Sequence, residues 1–178
     1  MQKAYSPIFL IGSRACGKST VGRALARLLR RQFVDTDLLV QQEAGCTIQE
    51  MVQEHGWEYF RDAESRALQQ ATAPNTIIAT GGGMVLREAN RLFMQQHGIV
   101  FYLVVPVTIL SARLAARPHD PMRPPLTTKN AEEEVRTVLQ ERQPLYLACA
   151  RHSVDATLPL PALVGLMASA IVAHRKKL

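Results

Sequence analysis

The sequence predicts an α/β fold, a mostly parallel sheet with helices on both of its faces, and three observations predict it. Short apolar runs bounded by Gly, Pro or Asp recur along the chain, as strands buried on both faces do. The stretches between them are long enough for the crossover helices that parallel neighbours require. With 178 residues, 47% hydrophobic and 20% charged, the chain has the size and composition of one globular domain, 1–178.

The elements follow in order. Ile8–Ile11 is the first apolar run, stopped by Gly12. Gly12-Ser13-Arg14-Ala15-Cys16-Gly17-Lys18-Ser19 then fits G-x-x-x-x-G-K-[ST], and the amphipathic stretch Val21–Leu29 is the helix such a motif opens. A weak second strand lies around Phe33-Val34 and ends on Asp35-Thr36-Asp37. Thr47 with Glu50 three residues on makes a capping box. Thr76–Ala79 and Ile99–Val105 are further strands, the first followed by Gly81-Gly82-Gly83, the second by Pro106, a residue suited to opening a helix. Arg117–Lys129, with Pro118, Pro121, Pro124 and Pro125, reads as a loop of functional length. Asn130 and Glu133 repeat the capping pattern, His152–Ala156 is a fifth and weaker strand, and Leu158–Ala173 reads as a buried helix. That last stretch, broken by Pro159, Pro161, Gly165 and Ser169, is shorter than the ~20 apolar residues of a membrane span.

The motif carries the first chemistry. Its glycines let backbone N–H groups turn inward around phosphate oxygens, at a helix N-terminus that is itself partly positive. Lys18 is placed for the β and γ phosphates, Ser19 for Mg²⁺, and Thr20 for a further phosphate. Cys16 is a small residue filling a tight loop, or a thiol activated by the helix N-terminus and open to alkylation. Downstream, Asp35 and Asp37 stand where strand ends line the crevice of an open sheet, suited to Mg²⁺ and to an attacking hydroxyl; the same pair also suits a helix N-cap. Arg61 and Glu64 are an i,i+3 pair, which spacing alone places on a surface. Gly81–Gly83 ends a strand where a ligand can approach bare backbone. Arg123, in the proline-rich loop, can close over a γ-phosphate, and Arg142 precedes Pro144-Leu145-Tyr146. Trp57 either walls the site or packs a helix.

Taken together, GSRACGKST, DTD, FRDAE, GGG, MRPPL and ERQPLY, in this order over nearly the whole chain, resemble the shikimate kinase family. The resemblance implies a P-loop three-layer sandwich with a five-stranded parallel sheet, a substrate-binding helical region at about 35–65 and a lid at about 114–128. It implies ATP-dependent phosphorylation of the 3-hydroxyl of shikimate in aromatic biosynthesis, with Mg²⁺. Carried over by position, Asp37, Lys18 and Arg123 are catalytic, and Ser19 and Asp35 hold the metal. Gly12, Ser13, Arg14, Ala15, Cys16, Gly17, Lys18, Ser19 and Thr20 bind the nucleotide, with Arg113 or Arg117 at the adenine. Asp37, Arg61, Glu64, Gly81, Gly82, Gly83 and Arg142 serve the acceptor, the two arginines gripping its carboxylate and Glu64 orienting Arg61. The sequence departs from the family in a longer stretch between Arg113 and Arg123, and in Pro125 where many relatives have leucine.

The net charge of +6 suits anionic partners, but basic residues are scattered apart from Arg30-Arg31 and the 175–177 tail, which ranks nucleic acid low. Three cysteines without a CxxC pair fit a reducing compartment, and no export signal opens the chain, so a cytoplasmic monomer is expected. The five histidines show no metal-ligand spacing. Rival readings are another small P-loop kinase, for gluconate or nucleoside monophosphates, and a non-catalytic nucleotide or metabolite sensor.

Overall fold

A computed structural model describes residues 5–116 and 131–175. Strands β1 (Ile8–Ile11), β2 (Gln32–Asp35), β3 (Thr76–Ala79), β4 (Ile99–Val104) and β5 (His152–Asp155) form one sheet in the order β2-β3-β1-β4-β5. Every pairing is parallel, with Ile8 level with Ile77 on one side and Ile99 on the other. β1, at the centre, is fully buried, which is why its sequence is an unbroken apolar run. β2 lies at an edge with Gln32 exposed, the reason its signal was weak.

Alternation along the strands divides the core between the two faces. Ile8 and Leu10 face α1 (Lys18–Leu29) and α7 (Leu160–Arg175), packing with Leu25, Leu163 and Met167. Phe9 and Ile11 face the other way, onto Leu68, Met94 and Tyr146 of α3 (Ile48–Ala71), α4 (Glu88–His97) and α6 (Ala131–Cys149). A third, smaller cluster, Val40, Met51, Phe60 and Ala67, holds α2 (Thr36–Ala44) against α3 beside the sheet. α5 (Val107–Ala115) follows β4 with Pro106 as its N-cap.

From β1 the chain crosses to β2, and from β3 it crosses the other way to β4. The carboxyl ends of β1 and β3 therefore flank the point where the winding reverses, and there an open α/β sheet forms its crevice. Two local features aim side chains into it. Gly56 (φ 80°, ψ 173°) breaks α3, so that the segment from Trp57 onward takes its own direction. Pro144 sits inside α6, which runs on through it rather than stopping.

The Thr47–Glu50 capping box is present, Thr47 Oγ1 accepting from the Glu50 amide at 3.2 Å and Glu50 Oε2 from the Thr47 amide at 2.7 Å. α7 differs from expectation. It is one-sided, with Leu163, Met167 and Ile171 buried but Leu166 57% and Val172 47% exposed. A helix apolar all round leaves no periodic signal to say which face the sheet takes, and α1 covers only one. The proline-rich loop and the Asn130 cap lie outside the described residues, as do Arg117, Arg123 and most of the lid. No described helix is long and apolar enough to cross a membrane.

Candidate active site

Between β1 and α1 the chain makes the turn the glycines foretell. Gly12 (φ 145°), Ala15 (φ 61°) and Gly17 (φ 99°) all take positive φ, the backbone conformation from which anion-binding nests of successive amides are built. Gly12 also permits a close approach. A Cβ there would lie 2.9 Å from Cys16 Sγ and 3.0 Å from the Leu103 carbonyl. Cys16 is 1% exposed and fills the loop from within, as a packing residue would. Lys18 Nζ donates to the carbonyls of Gly12 (2.9 Å) and Ser13 (2.8 Å), so the ammonium already lies across the mouth of the loop. Ser19 Oγ donates to Asp35 Oδ2 at 2.6 Å, joining the loop to the end of β2.

Asp35 and Asp37 divide the two roles that sequence left open. Asp35 is the N-cap of α2, its Oδ1 accepting from the Asp37 amide at 3.1 Å. Asp37 is therefore released from capping. The residue is mostly buried, and its Oδ1 is out of contact with solvent and has no hydrogen-bond partner among the described residues. Burial, followed by the nearby Glu64 and Asp35 carboxylates, pushes its pKa up to about 7, with Lys18 and Arg61 opposing.

The Arg61–Glu64 pair is real, and it is buried rather than superficial. Glu64 is 1% exposed and bonded to Arg61 Nη1, whose guanidinium also lies 5.3 Å from the ring centroids of both Trp57 and Phe60. Burial raises the Glu64 pKa, while Arg61 and then Arg142 favour its charge. Arg142, 6% exposed on α6, has its Nε without a partner among the described residues.

The three glycines after β3 serve a purpose their sequence did not reveal. A Cβ on Gly81 would collide with the Glu64 carboxylate and come within 2.6 Å of Asp37 Oδ1, and one on Gly83 would overlap the Arg61 guanidinium. Both bare positions make room for the site's own charged side chains. Only Gly82 and Gly83 line the cavity, whereas Gly81 faces the protein and its amide donates to Thr36 Oγ1 at 3.0 Å. Gly82 in turn accepts from the Tyr146 hydroxyl at 2.6 Å.

These groups converge on a cavity of about 140 Å³. Lys18, Ser19 and Asp35 line it together with Asp37, Arg61, Glu64, Gly83 and Arg142. Trp57, Phe60 and Ile48 wall it with apolar surface, and Trp57 packs against the α2–α3 cluster as well, so both of its alternatives hold. A second cavity of about 430 Å³ adjoins the loop from outside, between Cys16, Thr20, Arg113, Leu158 and Leu160. Arg113 Nη1 donates there to the Ala15 carbonyl at 3.1 Å. Arg14 leans the other way, 3.7 Å from Glu134 on α6. Sequence reasoning overlooked Thr36, Tyr146, Ile48 and Phe60. For Tyr146 the signal was its place one helical turn after Arg142.

Comparison with known proteins agrees along the chain. The family model described as shikimate kinase matches residues 14–171. Shikimate kinase 2 of Enterobacter sp. (strain 638) is 54% identical over 151 residues, 85% of this chain and 87% of that one. Among solved structures, a shikimate kinase from Acinetobacter baumannii in complex with shikimate superposes with a TM-score of 0.87 at 33% identity, covering 96% of this chain and 94% of the other. A gluconokinase from Sinorhizobium meliloti 1021 reaches a TM-score of 0.57 at 14% identity over 99% of this chain and 97% of its own, a likeness of fold alone.

Proposed function

The chain belongs to the shikimate kinase family, whose reaction is the ATP-dependent phosphorylation of shikimate in aromatic biosynthesis, and from that premise we propose how its residues divide the work. Transfer goes in line from the γ-phosphate of ATP to the 3-hydroxyl of shikimate. The loop Gly12–Thr20 holds the phosphates with its amides, and Lys18 turns from the Gly12 and Ser13 carbonyls to their oxygens. The adenine lies in the outer cavity against Arg113 and Leu158. Arg117 and Arg123, outside the described residues, are assigned on sequence alone to the adenine and to the closing lid.

Shikimate occupies the inner cavity. Its carboxylate pairs with Arg61 and Arg142, the second of which has a buried Nε donor to offer. Glu64 fixes the Arg61 fork, Gly82 and Gly83 give backbone contact, and Gly81 acts through the space it leaves for Glu64 and Asp37. Asp37 accepts the proton of the attacking hydroxyl. A carboxyl with a pKa of about 7 is a competent base at neutral pH, and Lys18 close by favours its charged form.

Ser19 and Asp35, 2.6 Å apart, supply hard oxygen donors of the kind Mg²⁺ takes. Two protein oxygens beside a phosphate loop fit an ion that keeps waters and phosphate oxygens in its shell, and no three-residue His/Cys/Asp/Glu cluster stands among the described residues. When bound, Mg²⁺ neutralises charge developing on the phosphate oxygens. The protein works as a cytoplasmic monomer, and the free thiols Cys16, Cys46 and Cys149 suit that reducing compartment.

The observation that carries this reading is one cavity joining Lys18 and Ser19 to Asp37 and to two buried guanidiniums. ADP release from Mg-ATP, measured with shikimate, gluconate and nucleoside monophosphates, tests it. Turnover should depend on shikimate and fall at least about 100-fold in Asp37→Asn. Activity with another acceptor, or a variant with near wild-type turnover, would overturn the assignment.

A further inference from the structure

We propose that Tyr146 is a positioning residue that couples the phosphate loop to the acceptor turn, so that nucleotide in the loop alters the affinity for shikimate; this rests on the reading above. Three segments remote in sequence meet at one phenolic oxygen. The Tyr146 hydroxyl donates to the Gly82 carbonyl at 2.6 Å, and Gly82 lies against the phosphate loop, where a Cβ on it would stand 3.3 Å from Arg14 Cγ and 3.6 Å from the Gly12 carbonyl; the phenol also interacts with Ser13 of that loop. The ring is 0% exposed and stacks on Tyr102, centroids 5.0 Å apart and planes within 21°. Tyr102 in turn packs beneath the loop, its ring edge 3.6 Å from where a Gly12 Cβ would stand. One turn earlier on α6, Arg142 enters the acceptor cavity.

Packing alone explains the ring but not the hydroxyl. A part-buried carbonyl beside the acceptor cavity has its hydrogen bond supplied from the helix carrying Arg142, and the phenol that supplies it also interacts with Ser13. Burial keeps the phenol protonated far above neutral pH, so it remains a donor throughout. When phosphates draw the Ser13 segment onto their oxygens, Tyr146 loses or gains that contact, and Gly82 and Arg142 shift with it. Coupling of this kind is reciprocal, so shikimate changes nucleotide affinity by the same factor.

The experiment is calorimetric titration of shikimate into the protein with and without Mg-ADP, for wild type, Tyr146→Phe and Tyr102→Phe. Tyr146→Phe keeps the ring and its stack while removing the shared hydroxyl. Its coupling factor, the ratio of shikimate Kd without and with Mg-ADP, should move at least threefold toward one. Its kcat/KM for shikimate should fall about tenfold. Tyr102→Phe, which trims a hydroxyl from the neighbouring ring, should keep the wild-type factor. A wild-type factor of one, or a Tyr146→Phe factor equal to wild type even with a lowered melting temperature, overturns the proposal. If Tyr146→Phe fails to fold, Ser13→Ala cuts the other end of the link, and an unchanged factor there overturns it equally. A wild type that binds shikimate with coupling but releases no ADP would instead overturn the catalytic roles.

Discussion

The two halves of the site are built on opposite principles. The nucleotide half is one contiguous loop, Gly12–Gly17, that works through backbone amides and needs few charged side chains of its own. The acceptor half draws Asp37, Arg61, Glu64, Gly83 and Arg142 from four separate stretches and works through buried charge. Backbone amides are satisfied or exposed at little electrostatic cost, whereas buried carboxylates and guanidiniums must balance one another. Substitutions in the first half should therefore disturb one ligand, and those in the second both ligand and fold.

Asp37→Asn should give the largest separation. Turnover should drop by about 10²–10⁴-fold, the usual worth of a positioned base. Stability should move the other way. The folded pKa of about 7 lies above the ordinary 3.8, so folded protein binds the proton more readily than unfolded. Between about pH 4 and pH 7 stability through this group falls as pH rises, and the full penalty is present at pH 8. Allowing for the residue's partial exposure, the variant should gain about 1–2 kcal/mol at pH 8 and nothing at pH 4, read as melting temperature against pH without ligands. A variant with the wild-type pH slope would deny the buried charge. In wild type, kcat/KM for shikimate should fall about tenfold per unit below pH ~7, a limb that a pH-rate profile checks.

Arg61→Ala should come next, and it strikes both properties at once. Shikimate KM should rise about 100-fold with ATP KM unchanged. Glu64, 1% exposed, loses its partner, and stranding a buried charge costs about 3 kcal/mol. Adding Glu64→Gln should restore much of the melting temperature but none of the shikimate affinity. Recovery of both would mean that Arg61 acts only by neutralising Glu64.

A glycine in each half sharpens the contrast at smaller scale. Gly12→Ala faces Cys16 Sγ, the Leu103 carbonyl and a φ of 145°, and should raise ATP KM about tenfold while sparing shikimate binding. Gly83→Ala, whose Cβ would displace the Arg61 guanidinium, should do the reverse. Separate titrations with Mg-ADP and shikimate read both, and a Gly12 variant that loses shikimate affinity would blur the division.

The contrast also governs what the sequence made legible. The phosphate loop was complete there, because a backbone cradle needs residues adjacent in the chain. The central strands were plain, since burial on both faces leaves no polar residue, while β2 was faint at its exposed edge. The acceptor residues could be assembled only through family resemblance. Spacing of two cannot say that Asp35 caps α2 and frees Asp37, and spacing of three cannot say that Arg61–Glu64 faces inward. The reason for Gly81 and Gly83 lies in side chains that start 17 to 44 residues earlier in the chain, and no local pattern could carry it. α7 was misjudged because a helix apolar on all sides conceals which side is covered.

The smallest effect belongs to a second ion pair on α3, which isolates burial as the variable. Arg87, just before α4, donates to Asp62 at 2.6 Å and to Glu58 at 3.1 Å, strapping α3 to the turn after Gly83. Its partners are the same chemistry as Arg61–Glu64, one residue of sequence away on the same helix from Arg61 in the case of Asp62. Yet Asp62 is 55% and Glu58 90% exposed by side chain, against 1% for Glu64. Water and salt solvate such carboxylates when the arginine is gone, so each contact is worth a few tenths of a kcal/mol, about 0.5 in all. Arg87→Ala should lower the melting temperature by only about 1–2 °C at low salt, less still in 1 M NaCl, and leave shikimate KM within about twofold. A loss that matched Arg61→Ala would mean that the strap, rather than the buried pair, holds the acceptor wall in place.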